Sequence, residues 1–319
     1  MDRILVTGSS GFIGMNLCRD LLEEGYIISG IDNMNNYYDV SLKEARLNIL
    51  SDYSNFTFYK VDISNLEELE KIFKEFKPQK VVNLAAQAGV RYSLENPFAY
   101  IESNIVGFTN IIESCRHFGV RGLIYASSSS VYGENRTTPF SVGDRVDKPA
   151  SIYAASKRTN ELIAYTYHHL YGLNTTGLRF FTVYGPWGRP DMAMYIFANK
   201  IIKGERIPVF NYGEMERDFT YIDDIVSGIK SSIKNNYSNE IFNLGNSHCE
   251  NLMDMIYFIE KELGEKAKIK YLKMQPGDIK KTNANIDCSK VKLGYNPKIS
   301  IKEGIPKFIQ WYKSYHEFF

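Results

Sequence analysis

Histidine, cysteine and tryptophan are scarce, at five, four and two residues in 319. His168 and His169 are adjacent, so on a helix they point about 100° apart and cannot share a metal. His117, His248 and His316 have no partner at ligand spacing, so no metal site is expected and all five read as surface residues. Cys18, Cys115, Cys249 and Cys288 lie far apart without CxxC spacing, which excludes a disulfide framework or a zinc ribbon. Cys18 and Cys115 fall in apolar helical patterns and read as buried free thiols, suited to a reducing, cytoplasmic setting. Excess charge is also missing: the net value of +1 gives no electrostatic case for nucleic acid or an anionic membrane surface. No apolar run approaches the ~20 residues of a membrane span. Asp2-Arg3 leads straight into a strand pattern, so no signal region is expected. Repeats, low-complexity tracts and Pro/Gly-rich linkers are absent. What remains is 44% hydrophobic, enough for a large core and two lobes.

Ile4-Leu5-Val6 is a short apolar run, as expected of a parallel strand buried on both faces. Gly8-Ser9-Ser10-Gly11-Phe12-Ile13-Gly14 follows, then an amphipathic helix to about Glu24 and a second strand ending at Asp32. Strand, glycine turn, helix, strand and acid is the dinucleotide-binding order. Gly8, Gly11 and Gly14 let the backbone approach a pyrophosphate, whose charge suits the positive helix N-terminus. Asp32, about 20 residues on, would bond the adenosine ribose hydroxyls and repel a 2'-phosphate, favouring NAD over NADP.

The alternation continues. A strand over 56–61 leads to Asp62 and Ile63, placed for an adenine ring, and a helix spans 66–76. A strand over 81–84 leads to the small residues Ala85 and Ala86, and a long helix covers 98–118. The strand over 123–126 delivers Ser127 to Ser130, the next helix runs to about Tyr171, and 175–181 is again a strand. This predicts an α/β fold, a Rossmann-type doubly wound parallel sheet spanning residues 1–181. The segment 182–190 reads as a loop. Most of 182–319 reads as a smaller C-terminal α/β lobe for substrate, with a return to the sheet within 217–240.

Tyr153 and Lys157 are one helical turn apart and project from one face. A phenol with pKa ~10 is a poor base near neutrality unless its phenolate is stabilised. A lysine ammonium one turn away does this, an oxidised nicotinamide adds a second positive charge, and Ser128 can place a hydroxyl beside the phenol.

Together, GSSGFIG, Asp32, Asp62, the serines before Val131-Tyr132-Gly133, Tyr153 with Lys157, and Arg217-Asp218-Phe219-Thr220-Tyr221 resemble the extended short-chain dehydrogenase/reductase family of NAD-dependent nucleotide-sugar epimerases and dehydratases. The resemblance covers nearly the whole chain. It implies retained NAD, a UDP-sugar substrate, and a homodimer joined through the helices at 98–118 and 154–171. It adds Phe12, Ile13, Asn33, Asn104, Ser127 and Phe180 to the cofactor contacts. It gives Arg217 the substrate pyrophosphate, Phe210 the uracil and Asp278 the uridine ribose. The family's usual lysine near the nicotinamide ribose falls at Ala88, so that contact is made otherwise.

Within the family, 85–93 and 179–193 look like UDP-glucuronate 4-epimerases, which interconvert UDP-glucuronate and UDP-galacturonate. Neutral-sugar 4-epimerases commonly carry asparagine where Thr182 stands and lack an arginine at Arg91. Once carbon 4 is a ketone, the carboxylate on carbon 5 belongs to a β-keto acid and must be held out of alignment with the carbonyl. Arg189, Thr182 and Ser129 are the expected clamp, with Arg91 as a further contact. Dehydratases carry Asp-Glu at the positions of Ser129 and Ser130, and decarboxylases usually keep the glutamate, so neither chemistry is expected as the main reaction. The alternatives are a UDP-glucose or UDP-N-acetylglucosamine 4-epimerase and, from another class, a catalytically silent NAD-binding regulator.

Overall fold

The computed structural model describes residues 2–275 and 279–317. Its first half alternates strictly: β1 (Arg3–Thr7), α1 (Phe12–Glu23), β2 (Ile27–Asp32), α2 (Val40–Ser51), β3 (Phe56–Lys60), α3 (Leu66–Phe76) and β4 (Lys80–Asn83). A helical run follows, α4 (Tyr92–Glu95), α5 (Pro97–Tyr100), a π-helical turn (Ile101–Val106) and α6 (Gly107–His117), then β5 (Gly122–Ser128), α7 (Ile152–Tyr171) and β6 (Thr175–Phe180). The remainder supplies β7 (Thr182–Tyr184), α8 (Ala193–Ile202), β8 (Arg206–Phe210), β9 (Glu216–Arg217), β10 (Phe219–Tyr221), α9 (Ile222–Asn235) and β11 (Asn239–Leu244). Last come β12 (Glu250–Asn251), α10 (Leu252–Leu263), β13 (Lys268–Leu272), α11 (Asp287–Leu293) and α12 (Ile301–Tyr315).

Seven strands form one parallel sheet in the order β11-β6-β5-β4-β1-β2-β3, the Rossmann-type doubly wound arrangement expected from the sequence. Strand order reverses between β1 and β4, and in such sheets a ligand crevice opens there at the carboxyl ends. Strands buried on both faces explain the unbroken apolar runs. Leu5, Val81 and Leu123 face a cluster with Phe73, Phe108 and Ile111, whereas Ile4, Val82 and Ile124 face the opposite side. That second cluster continues through Ile229 and Phe242 into Phe197, Ile256 and Phe308, so the apolar core runs on past residue 181.

Three segments differ from the sequence reading. Part of the loop expected at 182–190 is β7, paired in parallel with β10 outside the main sheet. The chain regains the main sheet with β11 beside β6, later than most of the 217–240 interval. The helix expected at 98–118 is interrupted by the π-turn, a feature frequent at functional sites. The element that periodicity missed is α2, whose buried residues are Leu42, Lys43, Arg46 and Leu50. Two cations on the inward face hide the amphipathic signal. Among the described residues no helix is long and apolar enough to cross a membrane.

Candidate active site

A cavity of about 430 Å³ opens at the carboxyl ends of the central strands. The glycine-rich turn forms its floor. Gly8 has φ +71°, and a Cβ there would lie 2.8 Å from the Ala85 nitrogen. On Gly14 it would lie 2.0 Å from the Gly8 carbonyl oxygen, so neither glycine position admits a side chain. Gly11 caps α1 without a side-chain acceptor, which leaves first-turn N–H groups available to an anion. Asp32, at the end of β2, is buried and accepts from the Ser10 N–H (3.2 Å) and the Met34 N–H (2.9 Å). Asp62 accepts from Asn33 Nδ2 at 2.7 Å and from the Ser64 N–H at 2.9 Å. Burial opposes its charge, but these donors prevail and hold its carboxyl below the usual range. Phe12, Ile13, Ile63, Ala85, Ala86, Ser127 and Phe180 line the same space. A glycine cradle, an acid at one end and small apolar walls fit a dinucleotide. Asn104 stands behind the wall rather than in it: buried on the π-turn, it accepts from the Gln87 N–H (2.8 Å) and donates to the Gln87 carbonyl (3.0 Å).

At the other end, α7 begins at Ser151, whose hydroxyl caps the Ala154 N–H at 3.1 Å. Tyr153, Lys157 and Glu161 follow at four-residue intervals and share one face. Lys157 Nζ donates to the Ala126 carbonyl (2.9 Å), and Ser127 Oγ donates to Glu161 Oε1 (2.7 Å), so this face is docked along the end of β5. Glu161 also receives Arg179 Nε at 2.8 Å and Nη2 at 2.9 Å, a buried bidentate pair. Burial raises the Tyr153 phenol above its ordinary pKa, against opposing contributions from the Ser128 hydroxyl and the Arg189 charge. Burial lowers the Lys157 ammonium to about 8.

The lysine shift has a testable consequence. Between about 8 and 10.5, Lys157 is neutral in the folded chain and charged in the unfolded one. The unfolded state then holds the extra proton, so this residue makes stability rise with pH through that window and penalises folding fully below it. Urea unfolding of the NAD-free protein should therefore show the advantage of Lys157→Met shrinking by roughly 1.4 kcal/mol per pH unit across the window. A pH-independent difference would mean that the lysine does not titrate there.

The residues expected to meet substrate fall into two groups. Ser128, Ser129, Thr182 and Arg189 line the cavity with Tyr153. Arg189 Nε meets Asp191 Oδ1 at 2.9 Å in a bidentate pair, and the Tyr37 hydroxyl donates to Asp191 Oδ2 at 3.3 Å. Burial opposes the Arg189 charge, but Asp191 holds its pKa above the ordinary arginine value. Arg91 and Phe210 lie outside that lining and meet each other, the guanidinium 4.5 Å from the ring centroid. Arg217 Nη1 donates to the carbonyls of Glu216 (2.9 Å) and Lys280 (3.0 Å). Asp278 lies outside the described residues. Sequence reasoning did not find Lys43, which lines the cavity with Nζ 3.7 Å from Asp32 Oδ1, or Asp191. Neither carries a signal before the fold brings α2 and the 185–191 loop to the same crevice.

The sequence profile of the NAD dependent epimerase/dehydratase family matches residues 4–245. An uncharacterised protein of Methanocaldococcus jannaschii is 55% identical over 97% of this chain and 95% of its own length. UDP-glucuronate 4-epimerase of Thermodesulfobacterium geofontis is 46% identical over 98% of this chain and 97% of its own. Among solved structures, UDP-glucuronic acid 4-epimerase from Bacillus cereus, in complex with UDP-glucuronic acid and NAD, superimposes with a TM-score of 0.93 at 34% identity, covering 98% of this chain and 99% of that one.

Proposed function

This chain belongs to the NAD dependent epimerase/dehydratase family, and from that premise we propose that it inverts carbon 4 of UDP-glucuronate to give UDP-galacturonate, reversibly and with retained NAD. One observation carries the reading: the Tyr153/Lys157 face of α7 looks into a cavity also lined by Ser129, Thr182 and Arg189, an acid–base pair beside donors for a carboxylate.

The glycine turn with Phe12 and Ile13 would hold the pyrophosphate, Asp32 and Asn33 the adenosine ribose, and Asp62 with Ile63 the adenine. Ala85, Ala86, Ser127 and Phe180 would flank the remainder, with Asn104 fixing the Gln87 backbone behind them. NAD, when bound, would supply a reversible hydride acceptor for carbon 4. Tyr153 takes the 4-hydroxyl proton, directly or through Ser128, and later returns it; Lys157 supports the phenolate and bonds the nicotinamide ribose. Arg217 grips the substrate pyrophosphate while the 4-keto sugar turns over, Phe210 and Asp278 hold the uridine, and Arg91 lies beside Phe210.

The hazard is loss of carbon dioxide. In the 4-keto acid the bond from carbon 5 to the carboxylate can break, its electron pair passing to the keto oxygen, before a proton returns to carbon 5. Donors on both carboxylate oxygens keep that bond out of alignment with the carbonyl. Asp191 occupies the Nε edge of Arg189, and the guanidinium's remaining donors can serve the sugar. Arg189→Ala is expected to raise KM for UDP-glucuronate roughly tenfold or more, as for loss of a charged hydrogen bond, with far less effect on UDP-glucose. Equal loss on both substrates would remove Arg189 from the clamp.

The existing Arg189–Asp191 pair favours one second reading, a UDP-glucose or UDP-N-acetylglucosamine 4-epimerase, in which the arginine is structural. Incubating the purified protein with all three UDP-sugars and identifying products by NMR decides between them. NAD retained without turnover of any would point to a silent NAD-binding regulator. We further propose a homodimer working in the cytoplasm; the pairing of subunits is supported by Phe98, Ile101, Leu162 and Tyr165, which leave α5, the π-turn and α7 with exposed apolar side chains.

A further inference from the structure

The buried face of α2 carries Arg46, fully enclosed and in contact with both walls of the crevice. Nη1 donates to the Ser10 carbonyl of the glycine-rich turn at 3.1 Å and to the Tyr38 hydroxyl at 2.7 Å. Nη2 donates to the carbonyls of Trp187 at 2.6 Å and Gly188 at 3.3 Å. These acceptors are all neutral, and among the described residues Nε is buried without a hydrogen-bond partner. A guanidinium enclosed in this way is a costly means of joining two loops. The arrangement calls for a reason beyond filling space.

The loop it holds is unusual. Gly188 N–H donates to the Gly185 carbonyl at 3.1 Å, closing a turn with Pro186 second and Trp187 third. Trp187 has φ +65°, the left-handed region that a turn with proline second normally gives to glycine at its third place. A bulky residue stays there only where its surroundings over-determine it, and such positions cluster at functional sites. Here the ring packs on Trp311 and Tyr315 of α12, with centroids 5.3 and 5.4 Å away, while Arg46 holds the carbonyl. Arg189 is two residues further on, in the cavity wall.

We propose that Arg46 is a positioning residue for the carboxylate clamp. It fastens the Trp187 turn to the dinucleotide turn, and so sets where Arg189 stands relative to the reacting sugar. The inference rests on the UDP-glucuronate reading above. A small displacement at a reacting centre changes outcome more than affinity for the rest of the substrate. A loosened Arg189 should therefore show itself first as decarboxylated product.

The test uses NAD-loaded Arg46→Met, Arg46→Lys and Trp187→Gly, with NMR of products from UDP-glucuronate and KM for UDP-glucuronate and UDP-glucose. Arg46→Met should raise the UDP-pentose to UDP-galacturonate ratio several-fold and raise KM for UDP-glucuronate more than for UDP-glucose; Arg46→Lys should restore part of both. Trp187→Gly, which loses the ring but suits the turn, should shift the ratio in the same direction, and it carries the test if Arg46→Met does not fold. An unchanged product ratio in the folded variants, with any loss shared equally by both substrates, would overturn the positioning role. Absence of UDP-glucuronate turnover in the unsubstituted protein would instead overturn the functional reading, and the inference with it.

Discussion

Tyr153→Phe is expected to cut epimerisation by roughly 10²–10⁴-fold, the usual contribution of a positioned acid–base group, while NAD stays bound. The ring alone fills the same space, edge-on to Tyr100 with centroids 6.0 Å apart, so packing is kept and only the hydroxyl is lost. Ser128 cannot take over. Its oxygen already accepts from the Ser130 N–H at 3.1 Å, and an alkyl hydroxyl is a far weaker acid than a phenol. Burial keeps the phenol protonated in the protein alone. Ionisation in the proposed reaction would therefore draw on the positive charge of Lys157 and on the charge that oxidised NAD would add when bound. Single-turnover absorbance at the reduced-nicotinamide band, with UDP-glucuronate added, should show no transient in the variant. Near-normal turnover would remove Tyr153 from its role.

The second large effect concerns stability. Glu161→Ala should destabilise the protein by roughly 3–5 kcal/mol, because it strips the carboxylate from a buried guanidinium. Arg179 is 2% exposed and Glu161 fully buried; the pair also takes Arg158 Nη1 at 2.9 Å and the Ser127 hydroxyl. Burial opposes the charge of Glu161, but Arg179, Ser127 and Arg158 together hold the carboxyl below its usual range. The double variant Glu161→Leu with Arg179→Met should recover most of the loss, since no buried charge is then left unpaired. Urea denaturation midpoints check this. A single-variant loss under ~1 kcal/mol would class the pair with exposed ion pairs. Because Glu161 lies two turns beyond Tyr153 on the same helix face, the single variant should also lower turnover.

Much of the dinucleotide half was legible because its signals are local. Glycine spacing fixes the β1–α1 turn through steric exclusion, and apolar runs bounded by turn residues mark strands buried on both faces. Tyr153 and Lys157 share a face because a helix turn brings them together. The signals fail where a residue's role depends on what arrives from afar. α2 carries no amphipathic signal because its inward face holds Lys43 and Arg46, whose charges look solvent-facing until Asp32, Ser10 and the Trp187 turn surround them. β7 reads as loop in the sequence, since its three residues pair only when β10 is delivered from nearly forty positions on.

Sequence alone determined the class of chemistry here: glycines spaced to turn a strand into a helix, and a phenol one helical turn from an amine, are each written within a few residues. The tertiary structure decided the rest. It set which charges are paired, that Arg189 faces Asp191 while Arg217 meets the carbonyls of Glu216 and Lys280, and that a buried arginine joins the two loops of the crevice. Coulomb and hydrogen-bond partners are chosen by distance in space, and a linear chain does not state that distance until it has packed.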